Sequence, residues 1–328
     1  MILQLAKKTG EQIQALQNVS FDAELNGGDR DFELTVPLSE EEVNIGCRVF
    51  VPGTEIGGIL GWIKGDSRDT TKTFQGYGWR GMLANKVIKP PDGQDYYIVT
   101  GELNTVMREL IEPLFDGLFV IPEIDTGVTV TNYQFDRFCT LLDGLSKMLK
   151  SVGYRLEISY NEGEPNGSGW VDVQAVPIVD YSDEIELSQD SRLYFSYSDK
   201  QNGVNHLVIG GKGELQERNI IHLYVQEDGS IGDEQYYFGL DEIERFYENT
   251  STETADLLET GKEQLTNLMN KKSFEMDVET LGIDVAIGDI IGGRDYNTGI
   301  SVVKPLENII VRIQNETVSK EYKLEGTE

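Results

Sequence analysis

The feature that most constrains this chain is a two-residue alternation of polar and apolar side chains, recurring between turn signals. Asp31-Phe32-Glu33-Leu34-Thr35-Val36-Pro37-Leu38 carries it, and Ser273-Phe274-Glu275-Met276-Asp277-Val278-Glu279 repeats it. A period of two sends alternate side chains to opposite faces of a strand, so each run predicts a sheet with one wet and one dry face. Further strands are expected over 220–225, 300–303, 308–314 and 320–324. Asn26-Gly27-Gly28, Asn202-Gly203, Asp228-Gly229 and Asn297-Thr298-Gly299 read as turns, because Asn, Asp and Gly tolerate the left-handed backbone that tight turns need.

Helical spacing interrupts this pattern four times. Leu103, Val106, Met107, Leu110, Ile111 and Leu114 share one helix face, and Pro113 is expected to kink or end that helix. Phe135, Phe138, Leu141, Leu142, Leu145 and Leu149 form a second stripe. Leu240, Ile243, Phe246 and Tyr247 suggest a short third helix, and a fourth follows Asn249-Thr250-Ser251 and runs to about Asn270. Residues 161–169, rich in Gly, Asn and Pro, read as a loop, and no repeat or low-complexity tract is visible. The fold class expected is α+β, mainly β, with helices inserted between groups of strands.

Composition narrows the function. At 328 residues the chain is long enough for two or three packed units. Its 28 Lys+Arg against 57 Asp+Glu give a net charge of −29, which argues against a surface that gains affinity by placing cations on phosphates. No run approaches the roughly 18 apolar residues of a membrane span, and the N-terminus lacks a signal-peptide core, so no membrane insertion is expected. Cys47 and Cys139 form no CxxC, and with only His206 and His222 a His-rich metal site is not expected.

Three motifs invite a cofactor or metal reading. Gly76-Tyr77-Gly78-Trp79-Arg80-Gly81 has the GxGxxG spacing that lets a helix N-terminus approach a pyrophosphate. The preceding Thr70-Thr71-Lys72-Thr73-Phe74 is too polar for a buried first strand, and Pro90-Pro91 follows soon after, so a plain strand-to-helix turn is expected. Gly210-Gly211-Lys212-Gly213 lacks the Ser or Thr of a phosphate loop and reads as a hairpin or bulge. Asp228-Gly229-Ser230-Ile231-Gly232-Asp233 lacks the late bidentate Glu of a calcium loop and reads as a turn between strand and helix. There is no GxSxG elbow, both histidines sit in apolar strand contexts, and the many carboxylates define no constellation. No catalytic, cofactor-binding or metal-binding residue is therefore assigned. The 15 tyrosines with Trp62, Trp79 and Trp170 leave an aromatic carbohydrate-binding groove as the alternative reading.

Taken in order, several stretches resemble the tail hub proteins of long-tailed phages and prophages, relatives of the baseplate hub of contractile tails. They are Gly28–Leu38 (GDRDFELTVPL), Gly57–Ile63 (GGILGWI), Phe74–Leu83 (FQGYGWRGML) with Pro90-Pro91, the hairpin Ile287–Asp295 (IGDIIGGRD), and Glu321–Gly326 (EYKLEG). The resemblance implies two β-barrel domains of similar build: a tube-like barrel over 1–98, and a second over 191–232 and 271–328. An α/β connector over 99–190 joins them, with a helical insertion over 233–270. It implies a non-enzymatic homotrimer in the virion tail, at the tip or baseplate, assembled in the host cytoplasm. Its partners would be a tail tube or distal tail protein and a tip, spike or fibre protein. DNA would pass through without specific binding, and no cofactor is implied.

Overall fold

The structure, a computed structural model, describes residues 2–25, 31–66, 68–164, 167–182, 186–187, 194–200, 202–213, 215–249, 254–277, 285–294, 301–314 and 317–324. The turn signals at 26–28 and 297–299 lie outside the described residues, as do Gly28–Arg30, Thr250, Ser251, Val278, Glu279, Asp295, Glu325 and Gly326.

The chain opens with strands β1 (Gln4–Ala6), β2 (Gln12–Ala15), β3 (Ser20–Glu24), β4 (Phe32–Pro37), β5 (Arg48–Phe50), β6 (Gly57–Lys64) and β7 (Thr71–Gly78). It continues through α1 (Trp79–Ala84), β8 (Ile98–Glu102), α2 (Leu103–Ile111), β9 (Phe119–Val120), β10 (Thr129–Gln134), α3 (Leu141–Lys150), β11 (Tyr154–Asn161) and β12 (Trp170–Pro177). Then come β13 (Glu186–Leu187), β14 (Tyr194–Lys200), β15 (His206–Gly210), β16 (Ile220–Val225), β17 (Ile231–Gly232), β18 (Glu244–Glu248) and α4 (Thr254–Leu268). The last strands are β19 (Lys271–Asp277), β20 (Ile290–Arg294), β21 (Ser301–Gln314) and β22 (Thr317–Leu324). Two compact units result: Met1–Phe195 with Met276–Leu324, and Ser196–Glu275.

In the first unit a sheet runs β22-β21-β3-β4-β7-β6-β5-β1-β2 and curls into a half barrel. The alternation at 31–38 becomes β4, with Phe32, Leu34 and Val36 buried and Glu33 exposed. That dry row meets Phe21, Leu60, Phe74 and Val311 from the same sheet, all 0–1% exposed. Each such side chain contributes about 1.5–3 kcal/mol by leaving water. A chain-distant pairing joins the two ends of the unit: Val311 lies opposite Ala23, and Ile313 opposite Phe21. The runs expected at 300–303 and 308–314 are, from Ser301 onward, one long strand, β21, with a register shift between Leu306 and Asn308; Ile300 lies outside the described residues. Pro305 cannot donate to a ladder, which is why the sequence pattern broke there while the strand went on.

The half barrel shares its unit with α2, α3 and the sheet β11-β12-β9. Leu103, Met107 and Ile111 of α2 and Leu145, Met148 and Leu149 of α3 are all fully buried in one cluster with Tyr160 and Trp79. The helix α2 ends as Pro113 requires, passing into a 3-10 turn at Glu112–Leu114. Its first turn is capped by Glu102, which accepts from Asn104 N at 3.1 Å, Thr105 N at 2.8 Å and Thr126 Oγ1 at 2.7 Å. Burial alone would raise this carboxyl, but the bonds from Thr126, Thr105 and Asn104 outweigh it and hold the pKa at about 2. The folded state thus binds this proton more weakly than the unfolded chain. The stability it lends is complete above the ordinary carboxylate range and lost as pH falls from 4.5 towards 2. Glu102→Ala should cost about 0.5–2 kcal/mol at neutral pH. In urea titrations its deficit should shrink as the pH is lowered through that window.

The second stripe starts later than its spacing predicts. Helix α3 begins at Leu141, where Thr140 Oγ1 accepts from Asp143 N at 3.1 Å. Phe135 is buried ahead of the helix, and Phe138 takes a left-handed φ of 59° and points to solvent. A left-handed residue cannot belong to a right-handed helix, so the matching spacing of the two phenylalanines was coincidental.

The second unit is a sheet in the order β17-β16-β15-β18 with α4 on one face. Leu207, Ile209, Leu223 and Val225 meet Leu257, Leu265 and Met269 there. The third expected helix is absent: Gly239–Asp241 forms a 3-10 turn, and 244–248 is the strand β18, parallel to β15. Ile243 and Tyr247 are four apart, a separation that shares a face in a strand as well as in a helix. Pairing with the open edge of β15 decided between them.

Candidate functional site

A cavity of about 400 Å³ in the first unit is lined by charged side chains from α1, β11, β22 and the loop after β5, and by apolar ones from 285–287 and β21. Along β11 the alternation buries Leu156, Ile158 and Tyr160 and leaves Arg155, Glu157 and Ser159 partly exposed, and residues 155–159 all border the cavity. Glu55 is set by a turn in which Thr54 Oγ1 donates to Val51 O at 2.8 Å and accepts from Ile56 N at 3.1 Å. That turn is clasped to β11, with Gly53 N donating to Tyr160 O and Tyr160 N to Thr54 O, each at 2.9 Å.

Two hydrogen-bonded ion pairs sit in the wall among the described residues. Arg80 of α1 forks onto Glu55 through Nε and Nη2, and Nη2 also donates to Leu156 O at 3.1 Å. Burial pushes the Glu55 carboxyl up, while Arg80 and, more weakly, Arg155 pull it back. Arg155 Nε donates to Asp289 Oδ1 at 2.7 Å. Asp289 is fully buried; Oδ1 accepts also from Val179 N and Oδ2 from Ala286 N, both at 3.0 Å. Gly288 has a φ of +96°, and a Cβ there would lie 2.9 Å from Arg155 Cβ, so only glycine brings Asp289 this close to its partner. Arg155 Nη1 finds no hydrogen-bond acceptor among the described residues. Beside this wall Phe50, Tyr160 and Trp79 stack, with centroids 3.9 Å and 5.5 Å apart. Among the described residues no group of three His, Cys, Asp or Glu is placed to hold a metal ion. The arrangement ties together segments distant in sequence, and among the described residues of the wall no nucleophile and base are set against each other.

The sequence motifs fall elsewhere. The GxGxxG run is the end of β7 and the start of α1, the plain strand-to-helix turn expected. Asp31 Oδ2 accepts from Gly78 N at 2.9 Å and lies 1.9 Å from where a Gly81 Cβ would be. A carboxylate therefore occupies the helix end that a pyrophosphate would need, and the third glycine serves to admit it. Gly210–Gly213 leads out of β15 into the hairpin connection, with Gly211 N donating to Asn219 O at 2.8 Å. Asp228 Oδ1 accepts from Ser230 N at 3.0 Å in a turn that joins two strands, β16 and β17, where a strand and a helix were expected. Trp62 is exposed on β6, Trp79 is buried and Trp170 Nε1 donates to Asp172 at 2.7 Å. Burial takes Trp79 out of any sugar-facing groove. Cys47 and Cys139 are free thiols. His206 and His222 bond to each other across β15 and β16.

The sequence assigns no site role to any of the four ion-pair residues, although Arg80 lies in the GxGxxG run and Asp289 in the stretch Ile287–Asp295. Arg155 and Asp289 are 134 positions apart, and nothing local links them. The only available signal was Gly288-Asp289 ahead of an apolar strand, the pattern of a turn carrying a buried acid.

The geometry defines a mainly β protein of the α+β class, with a curled sheet and two hydrogen-bonded ion pairs in the wall of a cavity beside it. This architecture is shared with phage tail and baseplate proteins. The 43 kDa tail protein of prophage MuSo2 from Shewanella oneidensis matches with a TM-score of 0.52, over 99% of this chain and 98% of its own, at 13% identity. A chain of the phage P2 baseplate, in its activated conformation with Ca, matches with a TM-score of 0.51 over 99% of both chains at 9% identity. No protein-family model matches the chain, and no curated protein does. At such identities the likeness is one of fold.

Proposed function

We propose that this chain is a structural, non-enzymatic tail hub: a homotrimeric ring that joins a six-fold tail tube to the tail tip and lines the DNA channel. The observation that carries the proposal is end-to-end likeness, since the prophage tail protein and the baseplate chain match across nearly their whole lengths. A match confined to one unit would speak for a borrowed module instead. Two barrels per chain, over 1–98 and over 191–232 with 271–328, would give a trimer six barrels, so three copies can cap a six-fold tube. Its neighbours would be a tail tube or distal tail protein on one side and a tip, spike or fibre protein on the other.

The charge of −29 supports the same reading. DNA must slide through the channel, and each luminal lysine would hold a phosphate by releasing counterions. The channel surface is therefore expected to carry more Asp and Glu than Lys and Arg. Light scattering and electron microscopy of the protein mixed with its tube and distal tail partners test the proposal. Trimeric rings with a net-negative channel are expected; a strictly monomeric particle in that mixture would overturn the hub.

A further inference from the structure

On the second unit, two imidazoles meet on the sheet face opposite α4. His206 of β15 is 8% exposed at its side chain, whereas His222 of β16 is exposed. His206 Nε2 and His222 Nδ1 are 2.8 Å apart. Their ring centroids are 5.1 Å apart, the edge-to-edge arrangement in which the nitrogens point at each other. Tyr224, the cross-strand neighbour of His206, instead stacks flat on it at 4.3 Å. On its other side His206 Nδ1 is 2.7 Å from Glu242 Oε1 and 3.5 Å from Glu244. Gln235 Nε2 donates to the same Glu242 oxygen at 2.8 Å, which fixes the carboxylate. Farther along the face, Arg218 is engaged by Glu248.

The proton count of this chain of bonds is limited by geometry. A neutral imidazole has one donor and one acceptor, and an imidazolium has two donors. With Nδ1–H of His206 given to Glu242, its Nε2 accepts and His222 Nδ1–H donates. One added proton fits: His206 becomes the cation, held between Glu242 and a His222 nitrogen that now accepts. A second added proton leaves N–H groups on both facing nitrogens, two donors of two cations at hydrogen-bond distance, and the contact has no bonded form left.

We propose that His206 and His222 form a one-proton clasp, closed while their facing nitrogens share one proton and opened when acid protonates both rings. Opening frees the exposed ring of His222, so this face of the sheet changes its shape and charge with pH. The inference is independent of the tail-hub reading.

Histidine-labelled full-length protein, followed by NMR from pH 8 to about pH 4.5, tests it across the range in which imidazoles gain protons. The expected result is ring-to-ring contact at neutral pH that disappears at the acid end. Amide exchange at 222–225 should rise at least about tenfold with it, while that of α4 holds, as for a local opening. His222→Gln keeps an acceptor for His206 but cannot take a proton, and the change is at an exposed position. Its 222–225 amides should stay protected through the same range. Ring contact that persists at the acid end in the wild type overturns the proposal. So does acid-driven exchange in His222→Gln equal to that of the wild type, because the trigger would then lie elsewhere.

Discussion

Asp289→Ala is expected to destabilise the protein by about 3–5 kcal/mol, the cost of leaving a buried charge without its partner. Asp289 is wholly inaccessible, and Arg155, its partner, is only 11% exposed at its side chain. The substitution removes three acceptor contacts at once: those to Arg155 Nε, Val179 N and Ala286 N. The guanidinium cannot shed its charge, and Glu157 at 3.7 Å is too far to replace the lost hydrogen bond. Asp289→Asn keeps the shape and one acceptor oxygen, so its loss should be smaller. The pair Asp289→Ala with Arg155→Met should be less damaging than Asp289→Ala alone, because it removes the stranded charge. Equilibrium denaturation of the three variants measures this. A single-variant loss under about 1 kcal/mol would mean that water reaches Arg155 through the cavity and that the ion pair is not dry.

Trp79→Ala is the second large effect, about 3–5 kcal/mol, from lost transfer energy plus a residual cavity. The indole is 1% exposed, stacks on Tyr160 and stands at the first position of α1, so no nearby backbone is free to collapse into the void. Its Nε1 finds no acceptor among the described residues. Trp79→Phe forfeits no hydrogen bond and should recover most of the stability. Thermal unfolding of the two variants separates ring volume from the indole N–H; equal losses would show that the volume argument is wrong. No nucleotide binding is expected of the wild type or of either variant, since Asp31 already fills the helix end where a phosphate would sit.

What the sequence determined by itself was local. The alternation at 31–38, the helical stripe ending at Pro113 and the run at 220–225 each carry their own period, and β4, α2 and β16 follow them closely. Turn chemistry likewise set the hairpin after Gly210 and the Asp228 turn. Spacing failed where two periods coincide, as at Ile243 and Tyr247, or where a single left-handed residue such as Phe138 interrupts a stripe. Only the tertiary structure decided the rest. It paired β3 with β21 and set Arg155 against Asp289, 134 positions away. It also turned the residue at 288 into one that must be glycine. Those contacts draw on burial and charge pairing between segments with no shared local pattern, and such energies exist only once the chain has closed on itself.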